Sequence, residues 1–514
     1  MNCESFGSCG SCTLGEPYED QISYKKQLIG DKFREFFYGE FEFFASQPQN
    51  YRIRAEFGIW HDIWHSAFDL AYTMGGARSK KILINECPKV ALPIANLMPR
   101  LLEALRRSEA LKERLFGVEF ISCASGILAT LLYHKRLGER EQEAICELAD
   151  KLGIRVMARA RGQKLLSGEL SLTDELCVDG RVYKFRFGEN AFIQPNRGVN
   201  EKMIAWARSC VDFGKDGAGE VCAAQNFTAK NFTEKNFASQ NSAAQNYGCE
   251  QSATQNSTDR NFASENSAEF NAACRNSVKA NFASAKFNGE NSVKFNCVSA
   301  YESSTDNNFA RKDLDVQNSA PQNFIEQNLI AQNLDCEKHC VQNSACENSA
   351  AQNSSCKQHA VRPESSAARD LLELYCGHGN FTIPLAAKFN RVLASEISKS
   401  SIANARINCE LNGVCNAQFI RLSADELMSA FARKREFERL KGIDIFSYDF
   451  SHVLIDPPRA GLEPSVIDFI KNFQNLIYIS CNPQTLFENL RSLCVTHEVR
   501  RFAIFDQFAH TAHI

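Results

Sequence analysis

Residues 370–381 read Asp-Leu-Leu-Glu-Leu-Tyr-Cys-Gly-His-Gly-Asn-Phe, and this stretch decides the fold. Its first half, residues 371–375, has the continuous apolar pattern of a buried strand, and a helix is predicted to follow. Gly377 and Gly379 lie at the turn between them, where a ligand can approach the backbone closely. Thr382 occupies the third glycine position of the dinucleotide fingerprint, which counts against NAD. The stretch therefore predicts an α/β domain that binds a ligand at this turn.

Two further strand ends carry acidic residues that suit one such ligand. A second predicted strand, Arg391 to Ala394, is followed by Glu396, where an acid can bind both hydroxyls of a ribose. A third, Ser447 to Ile455, runs into Asp456-Pro457-Pro458-Arg459, a turn that places a carboxylate at the mouth of the sheet. The strand, the glycine turn and the ribose acid together are typical of the S-adenosylmethionine-binding half of a methyltransferase. Adenine-N6 and cytosine-N4 methyltransferases use a similar Asp-Pro-Pro turn to hold an exocyclic amine.

A cysteine follows the next predicted strand, within residues 475–485, Asn-Leu-Ile-Tyr-Ile-Ser-Cys-Asn-Pro-Gln-Thr. The apolar run ends at Cys481, Pro483 breaks the strand, and a helix follows. A thiol at the carboxyl end of a strand and at a helix N-terminus is favoured as the thiolate, although a buried structural cysteine fits the pattern equally well. Uracil C5 becomes nucleophilic only after a thiolate adds to C6, and the resulting enolate can take a methyl group from a sulfonium.

The composition is that of an ordinary soluble protein with room for two or more cores. The 514 residues carry a net charge of −3 and 21 cysteines. The sequence shows no apolar run of the roughly eighteen residues that span a membrane, and no secretory signal. We therefore expect a reducing cytoplasm, in which thiols stay free or bind metal. Because the net charge is close to zero, any surface that binds nucleic acid must be local.

Three cysteines near the N-terminus have the spacing of a metal site. Cys3, Cys9 and Cys12 form a C-x5-C-x2-C cluster, and Cys87 is the candidate fourth ligand. Soft thiolate ligands suit an iron–sulfur cluster or zinc, and we expect the former ahead of the latter. The alternative is a frayed N-terminus whose thiols bind nothing.

A strand that carries two arginines is the first candidate for an RNA contact. Residues 51–61 alternate, so that Arg52 and Arg54 share one face with Glu56, and Phe57 lies on the other face. Arginines beside aromatic rings suit phosphates and stacked bases, and they equally suit a solvated sheet face. The RNA-binding candidates are Arg52, Arg54, Phe57 and Arg459.

The remaining periodicities predict helices and strands on both sides of a foreign insertion. We expect helices at 19–44, 99–116 (with Pro99 in its first turn), 142–152 and 200–211 (capped by Asn200), and strands at 119–133 and 182–187. From about 222 to 360, asparagine recurs every fifth residue. Five-residue repeats can build a right-handed β-helix, but the long polar side chains beside each asparagine would lose their hydration inside one. We therefore predict a disordered insertion.

Several motifs together resemble those of the tRNA (uracil-5-)-methyltransferase family. The resemblance spans roughly residues 15–212 and 369–514. Its motifs are Tyr-Arg-Ile-Arg-Ala-Glu-Phe at 51–57, Phe-Ile-Gln-Pro-Asn at 192–196, Leu-Glu-Leu-Tyr-Cys-Gly-His-Gly-Asn-Phe at 372–381, Ile-Asp-Pro-Pro-Arg-Ala-Gly at 455–461, Tyr-Ile-Ser-Cys-Asn-Pro at 478–483 and Phe-Asp-Gln-Phe at 505–508.

This resemblance implies an activity, a substrate and a set of site residues. The implied nucleophile is Cys481, and the implied substrate is a uridine in the T-loop of tRNA. The implied contacts to S-adenosylmethionine or the target base are Gln194, Tyr375, Gly377, Asn380, Glu396 and Asp456. We expect a cytoplasmic monomer with no membrane partner.

The N-terminal cysteines are similar instead to those of the related ribosomal-RNA uracil-5 methyltransferases, which carry an iron–sulfur cluster. Those enzymes usually have a small β-barrel RNA-binding domain ahead of the cysteines, and Cys3 leaves no room for one. The sequence therefore favours tRNA over 23S rRNA. An inactive tRNA-binding protein is the alternative of another class.

One departure from the family concerns the end of the chain. In the family, Phe-Asp-Gln-Phe is followed by a glutamate, the expected base for the C5 proton, and then by an apolar strand. Here the sequence stops at Ile514, so the two strands that flank that strand are expected to have unpaired edges. Either the sequence is cut short, or this copy is damaged, or His510 or His513 replaces the base.

The predicted fold class is α/β. It combines a Rossmann-like class I methyltransferase domain, which lacks its last strand, with an N-terminal α+β RNA-binding domain and a long low-complexity insertion. The predicted boundaries are 1–14 for the cysteine-rich segment, 15–193 for the RNA-binding domain, 194–221 with 364–514 for the methyltransferase domain, and 222–363 for the insertion.

Overall fold

A computed structural model describes residues 3–61, 70–76, 80–188, 193–213 and 368–513. The chain divides into two units, residues 1–241 with 354–514 and residues 242–353. The second unit, and with it nearly all of the asparagine repeat, lies outside the described residues. The prediction that the repeat is disordered therefore stays a prediction.

The first half of the chain forms a seven-stranded sheet with the order β4-β3-β2-β5-β6-β7-β8 and a separate hairpin of β9 and β10. Its elements are α1 (Tyr18–Phe33), β1 (Glu42–Phe44), β2 (Arg54–His61), β3 (Leu70–Gly75), β4 (Lys81–Ile84), α2 (Leu92–Arg107), α3 (Glu109–Lys112), β5 (Leu115–Cys123), β6 (Gly126–Tyr133), α4 (Glu139–Leu152), β7 (Arg155–Ala160), β8 (Gln163–Leu166), β9 (Leu172–Val178), β10 (Arg181–Phe187) and α5 (Arg197–Phe213).

One face of this sheet packs against helices and the other carries its polar residues. Ala55, Phe57 and Ile59 of β2 are buried in a core that includes the apolar stripes of α2 and α4. Arg54 and Glu56 lie on the opposite face, as the period-two alternation of a strand requires. The predicted two-faced strand is confirmed.

The second half is a five-stranded parallel sheet with the order β13-β12-β11-β14-β15. Its elements are β11 (Ala368–Leu374), α6 (Thr382–Leu385), β12 (Phe389–Ser395), α7 (Lys399–Asn412), β13 (Ala417–Ile420), α8 (Ala424–Phe431), β14 (Phe450–Ile455), α9 (Pro464–Ile470), β15 (Asn475–Tyr478), α10 (Pro483–Leu493) and β16 (Ala503–Phe505). Apolar cores cover both faces, as buried parallel strands require. The carboxyl ends of all five strands therefore meet at one edge, where ligands bind in such sheets.

The last strand, β16, does not join this sheet. It pairs in parallel with β1, and Phe44 stacks on Phe505 across the pair. Within the described residues, β15 pairs only with β14. Residues of both β15 and β16 line one open cavity, and the expectation that a strand is missing between them stays a prediction.

Several predicted boundaries are wrong. The first helix ends at Phe33 and not at residue 44, because residues 42–44 form a strand with β16. The predicted helix at 99–116 begins instead at Leu92, so that Pro99 lies inside it, and residues from Leu115 onward are strand. Helix α5 begins at Arg197, and its cap is Asn196, whose side-chain oxygen accepts the backbone N–H of Val199.

Among the described residues, no helix combines the length and the apolar character needed to cross a membrane.

Candidate active site

A cavity of about 2160 Å³ runs along the five-stranded sheet, from residues at the amino ends of strands, such as Arg369 and Phe450, to residues at their carboxyl ends. It brings together residues that the sequence places far apart. Of the predicted site residues, its lining includes Arg52, Arg54, Gln194, Tyr375, Gly377, Asn380, Glu396, Asp456, Arg459 and Cys481. The predicted nucleophile and the predicted cofactor turn therefore share one open space.

The glycine turn after β11 has the backbone conformation that its glycines permit. Gly377 and Gly379 have φ angles of 56° and 90°, in the left-handed region that favours glycine. A side chain on Gly379 would also crowd Ile383, because its Cβ would lie 3.1 Å from the Ile383 Cδ1. Tyr375, just before the turn, has a φ of 62°, which is strained for an aromatic residue. Strained backbone of this kind concentrates at ligand sites, so the turn is built for close contact with a ligand.

The predicted ribose acid is held in place by the same turn. One carboxylate oxygen of Glu396 accepts the backbone N–H of Gly377 at 3.2 Å, and the other accepts that of Ser398 at 2.7 Å. These bonds fix the carboxylate at the edge of the cavity and leave lone pairs for hydroxyl donors. Ile397, which is 65% exposed beside it, is an apolar surface that the sequence analysis missed.

The amide of Asn380 has a structural partner. It forms two reciprocal hydrogen bonds with the amide of Asn200, of 2.9 and 3.0 Å. The pair joins the glycine turn to α5. Asn380 therefore acts first as a support of the turn, and the prediction that it contacts the cofactor stays a prediction.

Two carboxyl groups, the buried one of Glu373 and the half-buried one of Asp456, lie near the carboxyl edge of the sheet. Burial raises the pKa of Asp456 to about 7 and that of Glu373 to about 8, and the charge of Asp456 adds to the rise at Glu373. Glu373 is 1% exposed, and its Oε2 has no hydrogen-bond partner in the described part of the chain. At neutral pH, Glu373 therefore keeps its proton, whereas Asp456 is divided between its two forms.

Cys481 is exposed at the point where β15 gives way to α10. The side chain of Asn482 caps the helix by accepting the backbone N–H of Gln484 at 3.0 Å, and Pro483 occupies the first turn. The Asn482 amide also donates to the carbonyl of Arg459 at 2.9 Å. Cys481 thus lies between the end of a strand and a helix N-terminus, as the sequence predicted, and the structure adds the cap by Asn482 and the bond of Asn482 to the Asp-Pro-Pro-Arg turn.

Three of the four RNA-binding candidates lie at the cavity, and the fourth does not. Arg52 lies over the ring of Phe508 at 5.4 Å, Arg54 lines the cavity, and Arg459 contacts His513 at 2.8 Å between Nη2 and Nε2. The prediction for Phe57 is wrong, because this ring is 2% exposed and packs in the core behind the sheet. Its alternation with Arg54 and Glu56 already placed it on the other face.

The predicted iron–sulfur site is not supported. Among the described residues, no group of three or more His, Cys, Asp and Glu side chains is placed to hold a metal ion. Cys3 and Cys87 lie near enough to Cys12 for their charges to raise its pKa, but burial is the larger cause of that rise. The Nζ of Lys89, which also bonds the Cys12 side chain, donates to both oxygens of Ser11. Cys12 and Cys87 thus lie beside a lysine, and Cys9 packs against the apolar core.

The two histidines near the end of the sequence differ in their availability. His510 is 2% exposed, and both of its ring nitrogens are bonded, one to Gln21 at 2.9 Å and one to the carbonyl of Pro48 at 3.0 Å. Because neither nitrogen is open, His510 is excluded as the base. His513 lines the cavity, and burial, together with Arg459 and Lys25, lowers its pKa.

Comparison with known proteins gives one consistent family. The family model for tRNA (uracil-5-)-methyltransferase matches residues 17–288 and 310–514. The tRNA/tmRNA (uracil-C(5))-methyltransferase of Campylobacter concisus is 43% identical over 515 residues, which cover 100% of this chain and 97% of the relative. The protein of the same name from Sulfurimonas denitrificans is 32% identical over 516 residues, with 100% and 97% coverage.

A solved structure supports the fold. The tRNA (uracil-54, C5)-methyltransferase of Pyrococcus abyssi, in complex with S-adenosyl-L-homocysteine, matches with a TM-score of 0.51 at 14% identity. The match covers 98% of this chain and 84% of that one. The Rossmann-like methyltransferase fold predicted from the sequence is thus confirmed, and the chain belongs to the tRNA (uracil-5-)-methyltransferase family of enzymes.

Proposed function

We propose that this protein methylates C5 of a uridine in the T-loop of tRNA, with S-adenosylmethionine as the methyl donor and Cys481 as the nucleophile. The observation that carries the proposal is the single cavity that Cys481 shares with the glycine turn and Glu396. Cys481 is an unbridged thiol, which suits action in the reducing cytoplasm.

The residues around the glycine turn fit S-adenosylmethionine. The Glu396 carboxylate, held by Gly377, is set to accept both ribose hydroxyls, and Ile397 offers an apolar surface beside it. Tyr375 and Gln194 complete the lining of this part of the cavity. When bound, the cofactor supplies an electrophilic methyl group on a sulfonium.

The reaction uses the thiol to activate the base. The target uridine leaves its stack and enters the cavity, at a cost of a few kcal/mol. The Sγ of Cys481 forms a bond to C6, which places the displaced electron pair on C5 and the C4 oxygen. C5 then takes the methyl group, a base removes the C5 proton, and the returning electron pair breaks the bond between sulfur and C6.

Asp456 is suited to orient the base in both of its forms. Because burial raises its pKa to about 7, the carboxyl group can donate to a carbonyl of the uracil or accept its N3–H near neutral pH. Its neighbour in the Asp-Pro-Pro-Arg turn, Arg459, lies at the rim of the cavity, where a phosphate of the flipped nucleotide would pass.

The names of the relatives point to the RNA. They include both tRNA and tmRNA, so we propose that this chain accepts a T-loop in either molecule. The 23S rRNA alternative depended on the N-terminal cysteines, and the structure does not support the cluster that they were predicted to hold.

The test is methyl transfer from labelled S-adenosylmethionine to unmodified tRNA, tmRNA and 23S rRNA transcripts. We expect 5-methyluridine in the digest of tRNA and tmRNA only. Cys481→Ala should lower the rate by at least about 10³-fold, as expected for the loss of a covalent nucleophile. Cys415→Ala, which removes an exposed cysteine outside the cavity, should leave it unchanged. Tight tRNA binding without transfer by the parent chain would leave a tRNA-binding role in place of catalysis.

A further inference from the structure

The Phe-Asp-Gln-Phe motif and the residues after it form one wall of the active-site cavity. Gln507, Phe508 and His513 line it together with Cys481. The aspartate of the motif does not reach the cavity, since Asp506 is completely buried. We call residues 506–513 the C-terminal wall.

This wall is anchored to α1 by a buried ion pair. The Nζ of Lys25 donates to Asp506 Oδ1 at 2.6 Å, and both side chains are 0% exposed. The same Nζ donates to the carbonyl of Phe508 at 3.1 Å, and the hydroxyl of Tyr18 donates to Asp506 Oδ2 at 2.7 Å. The backbone N–H of Phe508 donates a hydrogen bond to Asp506 Oδ1 at 3.2 Å. The pair therefore fixes the backbone of Phe508 at both its N–H and its carbonyl.

The wall in turn holds two arginines that come from other parts of the chain. Phe508 lies under the guanidinium of Arg52, and the Nη2 of Arg459 donates a hydrogen bond to the Nε2 of His513 at 2.8 Å. The rings of Phe508 and His513 also contact each other, with centroids 5.3 Å apart. Both arginines line the cavity. A displacement of the wall would thus take the Phe508 ring from Arg52, whose Nε still donates to the Arg54 carbonyl at 2.9 Å, and the His513 acceptor from Arg459.

We propose that the buried Lys25–Asp506 pair is a positioning device for RNA binding, which sets the Arg52 and Arg459 guanidinium groups toward the phosphates of the target nucleotide. This inference rests on the proposed RNA substrate but not on catalysis. Lys25, Tyr18 and Asp506 are positioning residues, because they act through the wall and do not touch substrate. Among the described carboxylates, Asp506 is the one that lies within ion-pair distance of Lys25.

The test is the affinity for an unmodified tRNA transcript and its dependence on salt. We use Lys25→Met/Asp506→Leu, which replaces the pair with apolar side chains, since buried ion pairs tolerate this exchange better than the loss of one partner. We expect Kd to rise about tenfold and the slope of log Kd against log salt to fall by about 1 to 2, one phosphate contact for each arginine. Asp506→Asn keeps an acceptor for Tyr18 but leaves the buried Lys25 without its counter-charge, so it should raise Kd at least as much as the double substitution. Lys26→Met, one residue along and exposed, is the matched control.

Two further measurements separate positioning from general damage. The affinity for S-adenosylmethionine should stay within about twofold of the parent, because the glycine turn does not contact the wall pair. Arg52→Met should weaken RNA binding in the parent and add less than about twofold in the double variant. The proposal would be overturned if the double variant bound RNA with a Kd within twofold of the parent or with an unchanged salt slope. It would also be overturned if the affinity for S-adenosylmethionine fell as much as that for RNA, or if Arg52→Met raised the RNA Kd by the same factor in the double variant as in the parent. Absence of methyl transfer by the parent would count against the proposed function alone, since binding is read without it.

Discussion

Cys376 and Cys481 both follow a strand of the five-stranded sheet and precede a helix, yet their thiols have opposite surroundings. Cys376, after β11, is 4% exposed, and its pKa is raised well above the usual thiol value by burial first and then by the charges of Glu373 and Glu396. Cys481, after β15, is exposed at the cavity. The topology delivers both residues to the same edge of the sheet.

This difference shows that the sheet topology alone does not decide whether a thiol at the end of a strand is exposed. The backbone N–H of Cys376 donates to the carbonyl of Ser395, and its own carbonyl accepts the N–H of Gly379, so its backbone is tied to the end of β12 and to the glycine turn. The turn at Cys481 opens outward, because Pro483 and the Asn482 cap begin α10 directly after it. Both cysteines thus hold the position that was predicted for the nucleophile, and of the two only Cys481 has an exposed thiol, as the proposed function requires.

The largest expected effect is in alkylation. In the native protein, iodoacetamide should modify Cys481 at least about 100-fold faster than Cys376, because reaction at Cys376 requires local opening, and each 1.4 kcal/mol of opening free energy contributes a factor of ten. Peptide mass spectrometry against time gives both rates. In concentrated urea the two rates should converge. Comparable native rates would show that the turn at Cys376 opens freely, and the comparison would fail.

Much of this arrangement could be predicted from local pattern. The strands at β2, β11, β14 and β15, the glycine turn, the Asp-Pro-Pro turn and Cys481 follow from periodicity and turn residues over short stretches. The alternation of residues along β2 also implied that Phe57 is buried. Its prediction as an RNA contact was wrong, because Phe57 was chosen for belonging to the motif at 51–57 and not for the face on which it lies.

Contacts across long sequence separations could not be predicted in the same way. Lys25 falls on the same four-residue spacing as the buried Gln21, Ile29 and Phe33, so the stripe indicates a buried lysine. Nothing in the stripe indicates that its partner is Asp506, 481 positions away. The same holds for β1, a three-residue strand whose pairing with β16 replaced the end of a predicted helix.

The buried acid beneath Cys376 should give a pH dependence of intermediate size. Because burial raises the pKa of Glu373 to about 8, the folded chain keeps a proton that the unfolded chain loses above about pH 4.5. Its contribution to stability is thus fully present below that pH and is lost as the pH rises to about 8. Glu373→Gln removes this titration. The free energy of unfolding of the variant minus that of the parent should therefore increase with pH, by about 1 kcal/mol per pH unit between pH 6 and 8.

Urea unfolding at pH 6, 7, 8 and 9 measures this difference. Glu410→Gln, at an exposed position on α7, is the control and should follow the parent at each pH. The same substitution at Glu373 should lower the pKa of Cys376, because the Glu373 charge raises it, and should narrow the alkylation ratio above pH 8. Parallel stability curves for Glu373→Gln and the parent would mean that this carboxyl group is hydrated in solution.

The smallest expected effect concerns the cap that only one of the two turns has. The N-terminus of α10 is capped by the Asn482 side chain, whereas that of α6, after Cys376, has no side-chain cap. Asn482→Ala should cost about 1 kcal/mol of stability and slow the alkylation of Cys481 by less than about threefold, as the helix end frays. Asn482→Asp keeps the acceptor for the Gln484 N–H but loses the donor to the Arg459 carbonyl. It therefore separates the capping of α10 from the hydrogen bond to the Asp-Pro-Pro-Arg turn. If Asp restores both stability and alkylation, the cap alone presents the thiol. If Asp restores stability but not alkylation, the hydrogen bond from residue 482 to the Asp-Pro-Pro-Arg turn is what keeps Cys481 exposed to the cavity. The exposure that distinguishes Cys481 from Cys376 then depends on the ends of two strands, β14 and β15.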